Sequence, residues 1–265
     1  MTQFLRPAAL RAAAGLAGLA VTAASSGCDV SLRRAEYHTT ENVQITEIVL
    51  ATRGSGDVVI RTADVSEVRI GRVVSFRRNE PDTTYRIEGT VLSLDTDCGR
   101  HCWVSYDITA PRGVTVRGEN GSGDVKLTDV ARVDVTVESG SITVDGASDT
   151  VRARTGSGDI SVAGVKSGVT LEAGSGDITG RELGGGEVTA QTGSGDISLT
   201  LDTPQSVRAE AGSGGITVLV PEGSYRVNAS TDSGDRDVHL ADDPSAALHL
   251  DLRTGSGDIT LTRRH

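Results

Sequence analysis

The tetrapeptide Gly-Ser-Gly-Asp occurs six times in the chain, beginning at Gly54, Gly121, Gly156, Gly174, Gly193 and Gly255. Three near-copies fill the gaps: Glu138-Ser139-Gly140-Ser141, Gly212-Ser213-Gly214-Gly215 and Asp232-Ser233-Gly234-Asp235. From Gly121 onward the copies begin 17, 18, 18, 19, 19, 20 and 23 residues apart. A self-similar period near 20 residues marks a solenoid. Each repeat is one coil, and stacking on the next coil buries the apolar face that a lone coil would leave wet.

Within a repeat the side chains alternate. Val151, Ala153 and Thr155 are apolar or small, and Arg152 and Arg154 stand between them. The same beat runs through Val169, Leu171, Ala173, through Val188, Ala190, Thr192, and through Leu248, Leu250, Leu252, Thr254. Period two is the signature of a strand with one buried face. After each Ser the phase slips, and the next apolar residues are Ile160 and Val162, Ile178, Ile197 and Leu199, or Ile259 and Leu261. One face cannot be served across that slip unless the chain turns there. The tetrapeptide is therefore read as a corner whose glycines allow unusual φ and close approach of coils. The Ser column (Ser122, Ser157, Ser175, Ser194, Ser213 and Ser256, with Ser139 and Ser233) is expected to end an inward taper. Its hydroxyls would pair with corner backbone groups. The expected fold is all-β: a single-stranded parallel β-solenoid (β-helix) of about 18–20 residues per coil, with two or three narrow sheets and an N-terminal β cap.

Residues 58–110 break the rhythm. They carry Phe76, Tyr85, Trp103 and Tyr106, whereas residues 111–265 contain one aromatic, Tyr225. Strand-like runs lie near Val68 to Phe76, Tyr85 to Leu94 and Trp103 to Thr109, and Asp97 to Cys102 reads as a hairpin tip. A solenoid needs its end coils covered, because an open edge templates further pairing. The domain reading is a signal peptide over 1–27, a lipid-proximal tether over 28–41, a β cap with the first repeat over 42–110, and solenoid repeats over 111–265. Arg263, Arg264 and His265 are expected to place charge on the last strand and discourage end-to-end stacking.

The signal-peptide reading rests on Arg6 and Arg11, followed by an apolar stretch from Ala12 to Ala24. That stretch is shorter than the roughly 20 apolar residues a spanning helix needs. Ser25-Ser26-Gly27 then precede Cys28, which resembles a bacterial lipobox with Ser25 where an aliphatic residue is usual. The expectation is a lipid anchor on Cys28 at the extracytoplasmic face of a bacterial membrane; ordinary secretion is the alternative. Removing residues 1–27 takes away two arginines and no acid, so the chain's formal charge of −10 becomes about −12. An acidic surface repels phosphate backbones and argues against nucleic acid as a partner. Cys98 and Cys102 remain, and outside the cytosol the default for such a pair is a disulfide. Cys98, His101 and Cys102 are also ligand types for zinc, but no second pair completes a site.

The Asp column invites a chemical reading. Asp124, Asp159, Asp177, Asp196 and Asp258, with Asp57 and Asp235, would lie about 4.8 Å apart from coil to coil, where carboxylates repel. A calcium ladder would neutralise them, as in rolls built on Gly-Gly-x-Gly-x-Asp, although Asp comes one position early here. The simpler expectation is an Asx-type turn in which each Asp caps amides of its own corner. No metal or cofactor is therefore assigned. Nor does the chain hold a Gly-x-Ser-x-Gly elbow or a phosphate-binding glycine loop, and its five histidines are scattered. The expectation is a protein that is not an enzyme.

Together the Thr-Gly-Ser-Gly-Asp-Ile blocks at Thr155, Thr192 and Thr254, the Pro111 to Val116 run and the Val220 to Val227 run resemble a bacterial family. It is domain of unknown function 4097, often labelled adhesin-like, and the resemblance covers roughly residues 42–262. It implies a β-solenoid on an envelope protein and supplies no catalytic residues. The functional expectation is a non-catalytic binding, adhesin-like or scaffolding lipoprotein with a protein or glycan partner. The alternatives are an envelope spacer or stress-response component, and a carbohydrate-active β-helix enzyme.

Overall fold

The computed structural model describes residues 32–51 and 53–264. Cys28 and the expected signal peptide therefore lie outside the described residues. Through the cap the strands are β1 (Arg33–Glu41), β2 (Glu47–Leu50), β3 (Val58–Ala63), β4 (Val68–Phe76), β5 (Tyr85–Glu88), β6 (Val91–Leu94) and β7 (Cys102–Pro111). Regular coils follow, each a strand, a corner and a second strand. These are β8 (Thr115–Ser122) with β9 (Val125–Val130), β10 (Val133–Ser139) with β11 (Ile142–Ala147), and β12 (Val151–Ser157) with β13 (Ile160–Val165). Next come β14 (Val169–Ser175) with β15 (Ile178–Leu183), β16 (Val188–Ser194) with β17 (Ile197–Leu201), and β18 (Val207–Ser213) with β19 (Ile216–Val220). The chain ends with β20 (Tyr225–Ser233) and β21 (Arg236–Val238), then β22 (Leu248–Ser256) and β23 (Ile259–Arg263). No helix occurs among the described residues.

The first strand of every coil joins an 11-stranded sheet and the second a 12-stranded sheet. The fold is thus a β-solenoid of two mostly parallel sheets, joined at the Gly-Ser-Gly-Asp corners. Register is in phase throughout the repeats: Val151 pairs with Val169, Leu171 with Ala190, and Ile160 with Ile178. Alternation thus places like residues over like, and Ile142, Ile160, Ile178, Ile197, Ile216 and Ile259 form one column with at most 1% exposure. Burying one such side chain contributes about 1.5–3 kcal/mol, which makes the column a large share of the reason coils stack.

At both ends the spatial order departs from chain order. The coil β22–β23 inserts between β18–β19 and β20–β21, so the penultimate coil in sequence is the outermost in space. The expectation that Arg263 and Arg264 guard the last edge is therefore corrected: β23 is flanked on both sides, and Arg264 pairs with Asp202. Arg236 takes that place. It occupies the position of Ile259 in the neighbouring coil, and its Nη1 donates to the Ala229 carbonyl at 3.2 Å. An arginine at a core position blunts an edge that would otherwise template another strand. The segment after β21 folds back over the same end: Asp243 N donates to Tyr225 O and Val227 N donates to Asp242 Oδ1.

At the other end, β6–β7 lies beyond β2–β3, and β4, β1 and β5 add antiparallel strands. Arg33 to Glu41 is not a tether, because β1 pairs residue by residue with β4. Asp97 to Cys102 is the expected hairpin tip, closed by an antiparallel bridge between Asp97 and Trp103. β6 and β7 belong to different sheets, and the segment between them takes the place of a corner. Inside the cap, Tyr106 donates to Thr84 Oγ1 at 2.7 Å and to Asp95 O at 3.1 Å. Arg72 lies 4.4 Å from the Tyr37 ring centroid, where the guanidinium is attracted to the ring face.

Candidate functional site

The corners were the strongest chemical candidates, and their geometry assigns each residue a structural task. The second glycine of the tetrapeptide has φ between +132° and +145° at Gly123, Gly158, Gly176 and Gly195. A Cβ on Gly176 would lie 2.1 Å from the carbonyl oxygen of Gly158, one coil back. Only glycine satisfies both the conformation and the spacing.

Each Asp acts between coils and not within its own turn. Asp57 Oδ1 accepts the amide of Asp124, Asp124 that of Ser141, and Asp159 that of Asp177. Asp177 accepts from Asp196, Asp196 from Gly215, and Asp258 from Asp235, at distances of 2.7–2.8 Å for these three. This corrects the expected Asx turn: the amide that needs an acceptor belongs to the next coil. The Asp side chains are exposed. Among the described residues no group of three His, Cys, Asp or Glu side chains is placed to hold a metal.

The Ser residues do not end an inward taper. Ser122, Ser157, Ser175, Ser194, Ser213 and Ser256 are all exposed. The taper ends two residues earlier, at Thr155, Ala173, Thr192, Ala211 and Thr254. Threonine hydroxyls do what the serines were expected to do: Thr155 donates to Gly140 O, Thr192 to Gly176 O and Thr254 to Gly214 O. Threonine before the tetrapeptide was the signal that would have found this. Cys98 and Cys102 are joined by a disulfide with Cα atoms 5.1 Å apart.

Beside the corners a groove of about 900 Å³ runs along the outer face of the 11-stranded sheet. Its floor is the column of first glycines, Gly156, Gly174, Gly193, Gly212 and Gly255. A row without side chains next to a row of long ones leaves a trough. The long row is Arg154, Glu172, Gln191, Glu210 and Arg253, brought into line by the parallel register of β12, β14, β16, β18 and β22.

The rim is knitted together. Arg154 and Glu172 form a two-pronged pair, Nε to Oε2 at 2.8 Å and Nη2 to Oε1 at 3.1 Å. That hydrogen bond holds the Glu172 carboxyl below the usual range, with burial opposing it. Gln191 donates to Glu210 at 3.0 Å, and Arg208 donates to the other oxygen of Glu210. The groove therefore offers fixed, mixed charge, with no aromatic side chain among its lining residues. Such a wall suits an extended polar chain lying along the axis. The trough was not legible in the sequence, because it depends on coils lining up.

A family model described as Toastrack DUF4097 matches residues 45–262. A crystal structure from Bacteroides fragilis, provisionally named an adhesin, has a TM-score of 0.51 at 13% identity, covering 86% of this chain and 97% of that one. A Parabacteroides distasonis structure of the same provisional name has a TM-score of 0.43 at 14% identity, covering 84% and 96%. Another from that organism, provisionally named a lipid-binding protein, has a TM-score of 0.40 at 10% identity, covering 87% and 97%. At 13% identity the first of these speaks for the fold alone. No curated protein matches the sequence. Because the family match runs from the first coil to the last and not across one motif, the chain belongs to the Toastrack DUF4097 family.

Proposed function

We infer that the protein is a lipid-anchored β-solenoid on the extracytoplasmic face of a bacterial membrane, where it presents a non-catalytic binding surface. The observation that carries this reading is the axial groove. Five coils each contribute a glycine to its floor and a charged or amide side chain to its rim, so an extended partner meets a continuous polar trough along the rod. The corners, in contrast, are consumed by coil-to-coil hydrogen bonds, and their conformations follow from stacking alone. The adhesin name of the Bacteroides fragilis neighbour is in keeping with a binding role. Anchorage belongs to the same reading: the sequence before Cys28 has the layout of a lipoprotein signal, and acylation there would tether the rod by its cap.

The test is in-cell photo-crosslinking. A photoreactive residue replaces Gln191 in the groove or, as a control, Ser198 on the outer face of the opposite sheet. The expected result is a discrete adduct from position 191 and none from 198. Reproducible absence of adducts at both positions favours a spacer without a ligand. Anchorage is tested separately, by whether Cys28→Ala releases the protein from the membrane fraction.

A further inference from the structure

The cap gathers arginines at the end from which the chain leads back to Cys28. Across β1, β4 and β7 the register aligns Arg33 with Phe76 and Phe76 with Cys102, and Arg34 with Ser75 and Ser75 with Trp103. Arg77 and Arg78 follow Phe76, and Arg100 and His101 precede Cys102, so three strand ends bring five arginines together. The disulfide between Cys98 and Cys102 closes the loop that carries Arg100.

Charge sets this end apart from the rest of the molecule. Elsewhere exposed arginines mostly have carboxylate partners, as in Arg61 with Asp107, Arg112 with Asp64, Arg132 with Asp149 and Arg154 with Glu172. Here Arg34 pairs with Glu36 at 3.0 Å. Arg33, Arg77, Arg78 and Arg100 are exposed and form no ion pair among the described residues. The acids on these segments are Glu36, Glu80, Asp82 and Asp97, fewer than the five arginines, on a chain whose formal charge is −10.

Two apolar groups share the patch. Leu32 is 48% exposed, one of two large hydrophobic side chains so exposed among the described residues. Trp103 is half-buried, with an indole suited to a boundary between water and lipid. Cys28 precedes Leu32 by four residues, a reach of at most about 14 Å.

We propose that this end of the rod is a docking surface for an anionic phospholipid bilayer. The free arginines meet lipid phosphates, Leu32 and Trp103 enter the interface, and the acidic solenoid is held away from the membrane by repulsion. The result is a rod standing on its cap, with the axial groove running along its flank away from the membrane. The proposal rests on the anchored reading for its geometry, and its test can fail independently of that reading.

Full-length protein, wild type and Cys28→Ala, is mixed with vesicles of phosphatidylcholine alone or with added phosphatidylglycerol. Flotation reports binding, and quenching by brominated acyl chains reports contact of Trp103, the one tryptophan in the chain. The expected result is that Cys28→Ala protein floats only with the anionic vesicles, in a salt-sensitive way. Each Arg→Ala change at 33, 77, 78 or 100 should weaken binding about fivefold at low salt. Arg152→Ala and Arg181→Ala, exposed on the solenoid, should leave it unchanged. Equal behaviour on both vesicle types, or equal losses from the solenoid controls, overturns the docking proposal and leaves the anchor intact. If Cys28→Ala floats with neutral vesicles as wild type does, the anchor fails instead, and the comparison of vesicle charge still judges the patch.

Discussion

Asp177 Oδ1 accepts the backbone N–H of Asp196, one coil on, at 2.8 Å. The same relationship joins Asp159 to Asp177 at 2.9 Å. A hydrogen bond to a charged acceptor is worth about 1.5–3 kcal/mol, and a neutral one about 0.5–1.5 kcal/mol. Asp177→Ala should therefore cost about 1–2 kcal/mol in denaturant unfolding, while Asp177→Asn, which keeps an acceptor, should cost less. Equal losses in the two variants would mean that the column contributes through something other than this bond.

The glycines divide into those that stacking requires and those it does not. Gly176→Ala puts a methyl 2.1 Å from a backbone carbonyl and should cost about 3 kcal/mol or more. At Gly168 the nearest atom to an added Cβ is Glu187 O at 3.5 Å, ordinary contact, so Gly168→Ala should change stability by no more than about 0.5 kcal/mol. Thermal melts of the two variants decide the matter.

Arg236 stands where neighbouring coils carry Ile. Replacing it with Ile should convert the outermost coil into an adhesive edge. The expected outcome for Arg236→Ile is concentration-dependent self-association in analytical ultracentrifugation, with wild type unchanged over the same range. A variant that sediments as wild type does would show that the segment after β21 closes the end by itself.

Tyr106 gives the cap a sensitivity to alkali. Burial pushes its hydroxyl from 10.0 up to about 12, because ionisation would leave a charge in an apolar setting. The folded pKa is raised above the unfolded one, so the stabilisation is fully present below pH 10 and is lost as pH rises toward 12. Relative to Tyr106→Phe, wild type should lose about 3 kcal/mol across that window. A constant difference between the two proteins from pH 9 to 12 would contradict the linkage.

Much of the fold was legible in the repeat. Val151, Ala153 and Thr155 announce a strand, the phase slip before Ile160 announces a corner, and the spacing announces stacking. The groove is harder to read. Arg154, Glu172, Gln191 and Glu210 are about one coil apart in the chain, and nothing local says that they share one rim above a glycine floor. The Ser column was misplaced because alternation was extended one residue pair too far. Alternation breaks where two consecutive exposed residues, Gly156 and Ser157, lead into the positive-φ corner at Gly158, so the inward sequence ends at Thr155.

The sequence by itself determined the repeating unit, because hydrophobic alternation and glycine conformation act over a few residues and need no partner. The tertiary structure alone decided which coil lies beside which. Successive coils present nearly identical edges, so local preference cannot distinguish β22–β23 beside β18–β19 from β20–β21 in that place. The choice falls to the ends. Ile259 extends the buried column between Ile216 and Arg236, and the arginine is accommodated only where no further coil must follow. The corner Asp shows the same division: its place in the turn follows from the tetrapeptide, but its partner amide is supplied by a neighbour about 20 residues away.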